Sequence, residues 1–302
     1  MTYSKKHSGL HLGDKIFVLT MLSIPLIIFI NGWVFVNFNS VLMAFKLPSG
    51  EWSLDSFRAV FDNIKGTTLN KDFAIATALK NTGLWFLKST LMLPFELLIS
   101  YFLYKNIKGS KVFQVIFYLP GIVSGVAMAT AFSNFIAPNG PFGQILLKLG
   151  VEKVPKFLAN SDYAMPTLLF YSVWLGWGGN MLLLVGALAR IPVEVLEAAR
   201  IDGVKPFKEF TMFIIPLVWG TLSTLFILNM TNIFGEVGPV MLFTQGDFET
   251  ATMGYWIFYK LQMGGVSEYN EVAATGLLLT AIAVPVVMTI RWLIEKVPVV
   301  EY

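Results

Sequence analysis

Two rows of polar and aromatic side chains stand inside otherwise apolar runs. Tyr171, Trp174, Trp177 and Asn180 recur every third residue, and Asn229, Asn232 and Glu236 keep a similar helical spacing. One row offers ring faces and an amide, the other amides and a carboxylate, groups that can hold a polar solute by stacking and hydrogen bonding. The rings are equally explained by packing at an interface, and the asparagines by hydrogen bonds between helices. Lys88 and Glu96 are the other ions within an apolar run. Eight residues of helix separate them by about 12 Å, too far for a direct ion pair. Glu96 is expected to find a structural partner or to take part in a polar path, and Lys88 to extend toward the nearer surface.

Cysteine- and histidine-based chemistry has no buried residues to use. The sequence has no cysteine and two histidines, His7 and His11, both in a polar N-terminal tail. A thiolate nucleophile, a disulfide framework, a buried histidine triad and a zinc site are all excluded, so neither a catalytic nor a metal residue is assigned. Gly109-Ser110-Lys111 has neither the spacing nor the preceding glycine of a phosphate-binding loop, so the chain has no such device for ATP. A net charge of +3, scattered along the chain, does not point to nucleic acid.

The elements that must position these residues are apolar. Of 302 residues, 55% are hydrophobic and only 14% charged, against about a quarter charged in ordinary soluble domains. The mean hydropathy is +0.66. Six blocks, approximately 16–36, 82–104, 112–137, 164–189, 212–235 and 272–290, meet the roughly 20 residues needed to cross a bilayer as helix. Only the second contains charges. The first exceeds the core of a secretory signal and lacks a following small-x-small site, so it reads as a retained anchor. An all-α integral membrane protein with six transmembrane helices is expected, with the lipid bilayer as its solvent.

Lysine and arginine set the orientation. Segments 1–15, 105–111, 190–211 and 291–302 hold 12 of them in 56 positions, whereas 37–81, 138–163 and 236–271 hold 9 in 107. The first set is expected in the cytoplasm, with both termini. Outside, Trp52, Leu54, Phe57, Val60, Phe61 and Ile64 are spaced for one face of a helix lying on the membrane or the bundle. Gly121, Gly125 and Ala129 suggest a small-residue ridge in the third span.

The stretch from Arg190 to Pro216, a polar interlude between two apolar spans, has the signals of a presented helix. Pro192 suits a first turn, Glu194 and Glu197 lie near the positive end, and Arg200 lies near the negative end. Asp202-Gly203 ends the helix and Lys205-Pro206 restarts the chain toward the fifth span. The product is a short helix parallel to the membrane, with Ala198 and Ala199 forming a narrow surface and Glu197 beside them. A well-capped loop would carry the same signals.

Glu197-Ala198-Ala199, then Gly203, then Ile215-Pro216-Leu217 resembles the EAA signature of permease subunits in binding-protein-dependent ATP-binding-cassette importers. The form Glu197-Ala198-Ala199-Arg200-Ile201-Asp202-Gly203 most resembles the carbohydrate-uptake branch, of the maltose and glycerol-phosphate type. Asp72-Phe73 with Ala78-Leu79-Lys80-Asn81-Thr82 is similar to the start of that family's core domain, Phe113 to Pro120 to its third-span opening, and Gly143 to Gly150 to its outer loop. The resemblance covers roughly residues 51–291. One place departs: where members commonly have Thr-x-Gly-Gly-Pro, this chain reads Thr244-Gln245-Gly246-Asp247-Phe248, a turn kept but differently shaped.

The resemblance implies the type I ABC importer transmembrane-domain fold, with a tail, first helix and extracytoplasmic segment over 1–76, the permease domain over 77–291 and a cytoplasmic tail over 292–302. It implies that Glu197, Ala198, Ala199, Asp202 and Gly203 dock on a separate ATPase subunit, where ATP and Mg bind. It further implies a heterodimer with a second homologous permease, a solute-binding protein outside, and a bacterial or archaeal cytoplasmic membrane. ATP-driven closure of the ATPase pair would open the cavity outward, and hydrolysis would reset it. This chain would then be a transport subunit, not an enzyme. An ion-coupled secondary transporter using Glu96 and Glu236 is the alternative, opposed by the missing inverted repeat and the capped lever.

Overall fold

The computed structural model describes residues 12–47, 49–64, 75–265 and 268–297. His7, His11, Asp72-Phe73 and residues 298–302 lie outside them. Helix α1, Leu12–Ala44, is almost wholly exposed until Ala44. It widens into a π-type turn over Ile30–Phe35. Its polar side chains do not need a neighbour: Thr20, Asn31, Asn37, Asn39 and Ser40 each donate to a carbonyl four residues back. A helix whose polar groups are satisfied internally can sit in hydrocarbon.

Helix α2, Asp55–Ile64, lies on the end of the bundle with Val60 fully buried and Phe57 beside it. Trp52, Leu54 and Phe61 of the same expected face remain exposed. The bundle axis is α3, Ile75–Tyr104, which packs along α7, Ser161–Leu188. At 30 residues α3 is about 45 Å long, and its two ends define opposite ends of the molecule. The last long helix is α13, Tyr269–Glu295, packed on the C-terminal part of α1.

Two of the six expected spans are not continuous. The third is α4, Ser110–Ile122, followed by α5, Gly125–Ile136, and the chain bends by 105° at the break. Pro120 removes a helical donor, Gly121 and Gly125 favour other conformations, and Val123 and Ser124 are extended. The break divides the expected ridge between two helices, Gly121 on α4 and Gly125 and Ala129 on α5; within this chain a methyl group added at either glycine would meet nothing within 4 Å, and Ala129 is buried. Close approach occurs elsewhere. A Cβ on Gly178 would stand 2.6 Å from the Phe117 carbonyl oxygen, so α4 and α7 meet backbone to backbone.

After α6, Pro141–Lys148, and α7 come α8, Val193–Ile201, and the fifth span, built as α9, Pro206–Leu217, and α10, Trp219–Thr231, bent by 72° at Val218. Two further helices follow, α11, Gly238–Phe243, and α12, Met253–Met263. Among the described residues, four helices are long and apolar enough to cross a membrane, or six when each bent pair counts as one span.

The buried apolar residues form layers along α3. Leu93, Leu97 and Tyr101 meet Leu184 and Leu188 of α7, Leu196 of α8 and Ile214 of α9 at one end. Trp85 meets Leu168, Val240 and Tyr255 farther along, and Ala78 meets Met253 and Trp256 at the other end. Each layer joins elements distant in sequence, so α3 fixes where the loops at both ends lie.

Candidate functional site

At one end of α3 the chain presents α8. Pro192 caps the helix from outside, with ψ 132°, instead of opening its first turn. Gly203 adopts φ +72°, its amide donates to the Arg200 carbonyl, and the Val204 amide donates to that of Ala199. This is the left-handed stop expected from Asp202-Gly203. Leu196 is buried among Leu188, Ile191 and Ile214, which fastens α8 across the helix ends, and Ala199 is buried as well.

Glu197, Ala198, Asp202 and Gly203 face outward. Ala199 does not: at 2% exposure it packs inward and cannot share a presented surface with Ala198, a correction to the expected pairing. The two alanines are adjacent on a helix and point about 100° apart, so only one can face outward. The outer surface is completed by Val193, Ile201 and Phe207, exposed by 57%, 86% and 77%. Beside it lies a cavity of about 260 Å³ lined by Tyr104, Lys105, Asn106, Glu197 and Arg200.

Lys105 ties this region to α3. Its ammonium lies 2.7 Å from the Glu209 carboxylate and over the Tyr101 ring at 5.0 Å. Burial alone would lower the lysine pKa, but the Glu209 carboxylate and the Tyr101 hydroxyl offset it and hold the value above the ordinary 10.5. Glu209 is 2% exposed, and its Oε1 has no partner among the described residues.

Between the ends lie the residues of the two polar rows. Tyr171 is 1% exposed, enclosed by Phe132 at 5.0 Å and Phe243 at 4.7 Å, so its ring offers no face to a solute in this conformation. Trp174 borders the same aromatic cluster and is partly open. Trp177 stands against Phe117 at 5.9 Å. Asn180 donates to Glu96 across 2.9 Å, and this is the partner that buried Glu96 required. Asn229 is half-buried and Asn232 exposed at the end of α10. Glu236 contributes its backbone carbonyl to the Thr252 hydroxyl at 2.6 Å. Lys88 lies over the Trp85 ring at 4.7 Å, within electrostatic range of Glu96 and Glu236, instead of simply reaching outward.

The other end of α3 holds an arrangement that sequence reasoning did not assign. Asn81, 3% exposed, donates to the carbonyls of Glu249 at 2.7 Å and Ala251 at 2.8 Å. The Thr82 hydroxyl accepts from the Met253 amide. Thr244 and Thr250 share a hydrogen bond, and Thr252 caps α12. These bonds hold a loop in which Gln245, Phe248 and Glu249 all have φ between 52° and 58°. Here the departing segment Thr244 to Phe248 takes its own shape. The available signal was an uncharged polar pair, Asn81-Thr82, at the mouth of an apolar run, matched by three threonines over 244–252.

Comparison with known proteins adds the lineage of this architecture. The family model described as "Binding-protein-dependent transport system inner membrane component" matches residues 96–297. The maltodextrin transport system permease protein MdxF of Bacillus subtilis is 26% identical over 248 residues, 76% of this chain and 54% of that protein. The chain spans about half to two-thirds of the length of the first curated relatives it matches. Among solved structures, a bacterial ABC transporter involved in import of the acidic polysaccharide alginate superposes with a TM-score of 0.78 at 21% identity, over 95% of this chain and 97% of that one. A second alginate transporter structure, in complex with an alginate pentasaccharide-bound periplasmic protein, gives 0.75 at 23% identity over 91% and 93%. The fold is thus the transmembrane-domain fold of type I ABC importers.

Proposed function

The chain belongs to the family of binding-protein-dependent transport system inner membrane components, and on that premise we propose that it is the permease subunit of an ATP-driven importer for a sugar or oligosaccharide. The observation that carries the reading is α8, a capped helix set across the ends of α3 and α7 with Glu197, Ala198 and Asp202 turned outward. A lever fixed to the bundle by Leu196 and Ala199 can pass a push to α3 and α9 without unfolding. Its rim of exposed apolar side chains around a carboxylate has the character of a protein-binding surface.

In this reading α8 faces the cytoplasm and docks in a partner ATPase, which holds ATP and Mg. A second, homologous permease completes the pathway, and a solute-binding protein delivers the sugar outside. The chain sits in a cytoplasmic membrane with both termini inside. Trp174, Trp177, Asn229, Asn232 and Glu236 remain the candidates for the path, while Asn180 is engaged by Glu96 and Tyr171 is enclosed. The sugar class is supported by the maltodextrin permease among the relatives.

The test is uptake of labelled oligosaccharides into vesicles holding the chain alone, and holding it with its ATPase and binding protein. Uptake that requires both partners and ATP supports the reading. Gradient-driven uptake by the chain alone would overturn it in favour of a secondary transporter.

A further inference from the structure

The end of the molecule opposite α8 contains a cavity of about 790 Å³, within the roughly 300–1,000 Å³ of small-molecule sites. One wall is a single face of α12: Tyr255, Phe258, Tyr259 and Gln262 follow the i, i+3, i+4, i+7 pattern. The opposite face of that helix, with Met253 and Trp256, is buried in the bundle. The facing wall is the loop that Asn81 holds, which contributes Gln245, Asp247, Phe248 and Glu249.

We propose that this cavity is a binding site for a neutral saccharide, occupied on the outer side of the membrane before the solute enters the bundle. The inference rests on the importer reading for the class of solute and for the outward placement of this end, and on the cavity for the rest. Aromatic rings present apolar faces to the C–H face of a pyranose, and Phe248 and Phe258 are exposed by 38% and 37% at the rim. Gln245 and Gln262 both donate and accept, while Asp247 and Glu249 accept only, a set that matches the hydroxyl groups of a polyol. No lysine or arginine lines the cavity among the described residues, and two carboxylates do. An anionic uronate would meet like charge with no cation to offset it, so the site selects against acidic sugars.

The site is also held in advance. Three non-glycine residues of the loop have positive φ, a sterically costly conformation that persists only where the surroundings impose it. Asn81, Thr82, Thr244 and Thr250 supply that constraint from below the cavity, so the rings and amides above are placed before any ligand arrives.

The experiment uses the full chain in lipid nanodiscs with maltotriose, lactose and a trimannuronate, each carrying a photoreactive diazirine, and maps crosslinks by mass spectrometry. Uptake of the same sugars by the chain with its ATPase and binding protein is measured alongside. The expected result is a crosslink from maltotriose or lactose to residues 245–249 or 255–262, none from trimannuronate, and a loss of at least tenfold in yield for Phe258→Ala and Gln262→Ala. Phe258→Tyr should retain the crosslink, and Trp292→Ala, far from the cavity in sequence and exposed, should leave it unchanged.

Uptake without a crosslink in the cavity, or crosslinks indifferent to the two variants, overturns the site and leaves the importer reading standing. A cavity crosslink lost in the variants, with no uptake of any sugar, keeps the site and removes the importer reading. Variants that lose the binding protein while keeping the crosslink would identify the cavity as a protein-docking surface and overturn the sugar assignment.

Discussion

Lys105 and Glu209 form a 2.7 Å ion pair that joins the end of α3 to the start of α9, on either side of the presented helix α8. The carboxylate is 2% exposed and the ammonium 18%. Removing one partner therefore leaves an uncompensated charge in a poorly hydrated place. Lys105→Met is expected to destabilise the chain by about 2–4 kcal/mol, and Glu209→Gln by less because no buried anion remains. Thermal unfolding in detergent measures this, and a charge-swapped double variant should recover part of the loss. The raised lysine pKa gives the pair a pH signature. Its contribution is complete below the unfolded value of about 10.5 and is lost as pH rises through the higher folded value.

The amide of Asn180 is the hydrogen-bond partner of buried Glu96. Asn180→Leu should cost about 1–2 kcal/mol, since it strands an acceptor among apolar helices. Combining it with Glu96→Leu should cost less than the sum of the two. An additive double-variant cycle in unfolding would deny that the two side chains support each other.

Asn81→Ala removes both donors from the carbonyls of Glu249 and Ala251. The loop should loosen, with faster amide hydrogen exchange over residues 244–252 and an overall loss of about 1–3 kcal/mol. Protection unchanged in that segment would contradict the clamp.

Glu197→Lys reverses a charge on the outward side of α8 and touches none of the residues that fasten it. Membrane insertion should be intact and stability should stay within about 0.5 kcal/mol of the parent, as for an ordinary surface change. Retention of the ATPase and uptake should fall severalfold. Unaltered retention and uptake would remove Glu197 from the docking surface.

Gly178→Ala sets a methyl group 2.6 Å from the Phe117 carbonyl oxygen. Helices α4 and α7 must separate, at a cost of about 1–3 kcal/mol in thermal unfolding. The same change at Gly179, which has open space, should be tolerated.

Local signals were read correctly where a local cause produces them. The left-handed stop at Gly203, the restart at Pro206 and the apolar blocks follow from residue type and near neighbours alone. Hydropathy missed the breaks at Val123 and Val218, because a bent apolar segment and a straight one have the same composition. The sequence reading also placed Ala198 and Ala199 together on one surface, although Leu196 and Ala199 share the face that the bundle buries.

From its own residues the sequence determined that this chain lies in a membrane, that it carries no cysteine and has its two histidines in the N-terminal tail, and that a capped polar helix follows the fourth apolar block. Only the tertiary structure decided that Asn180 answers Glu96 across 84 positions and that Asn81 shapes a loop 168 positions away. The division is physical. Burial in lipid and helix capping depend on residues within a turn or two, whereas a hydrogen bond between distant segments exists only once packing along α3 has chosen which helices lie side by side.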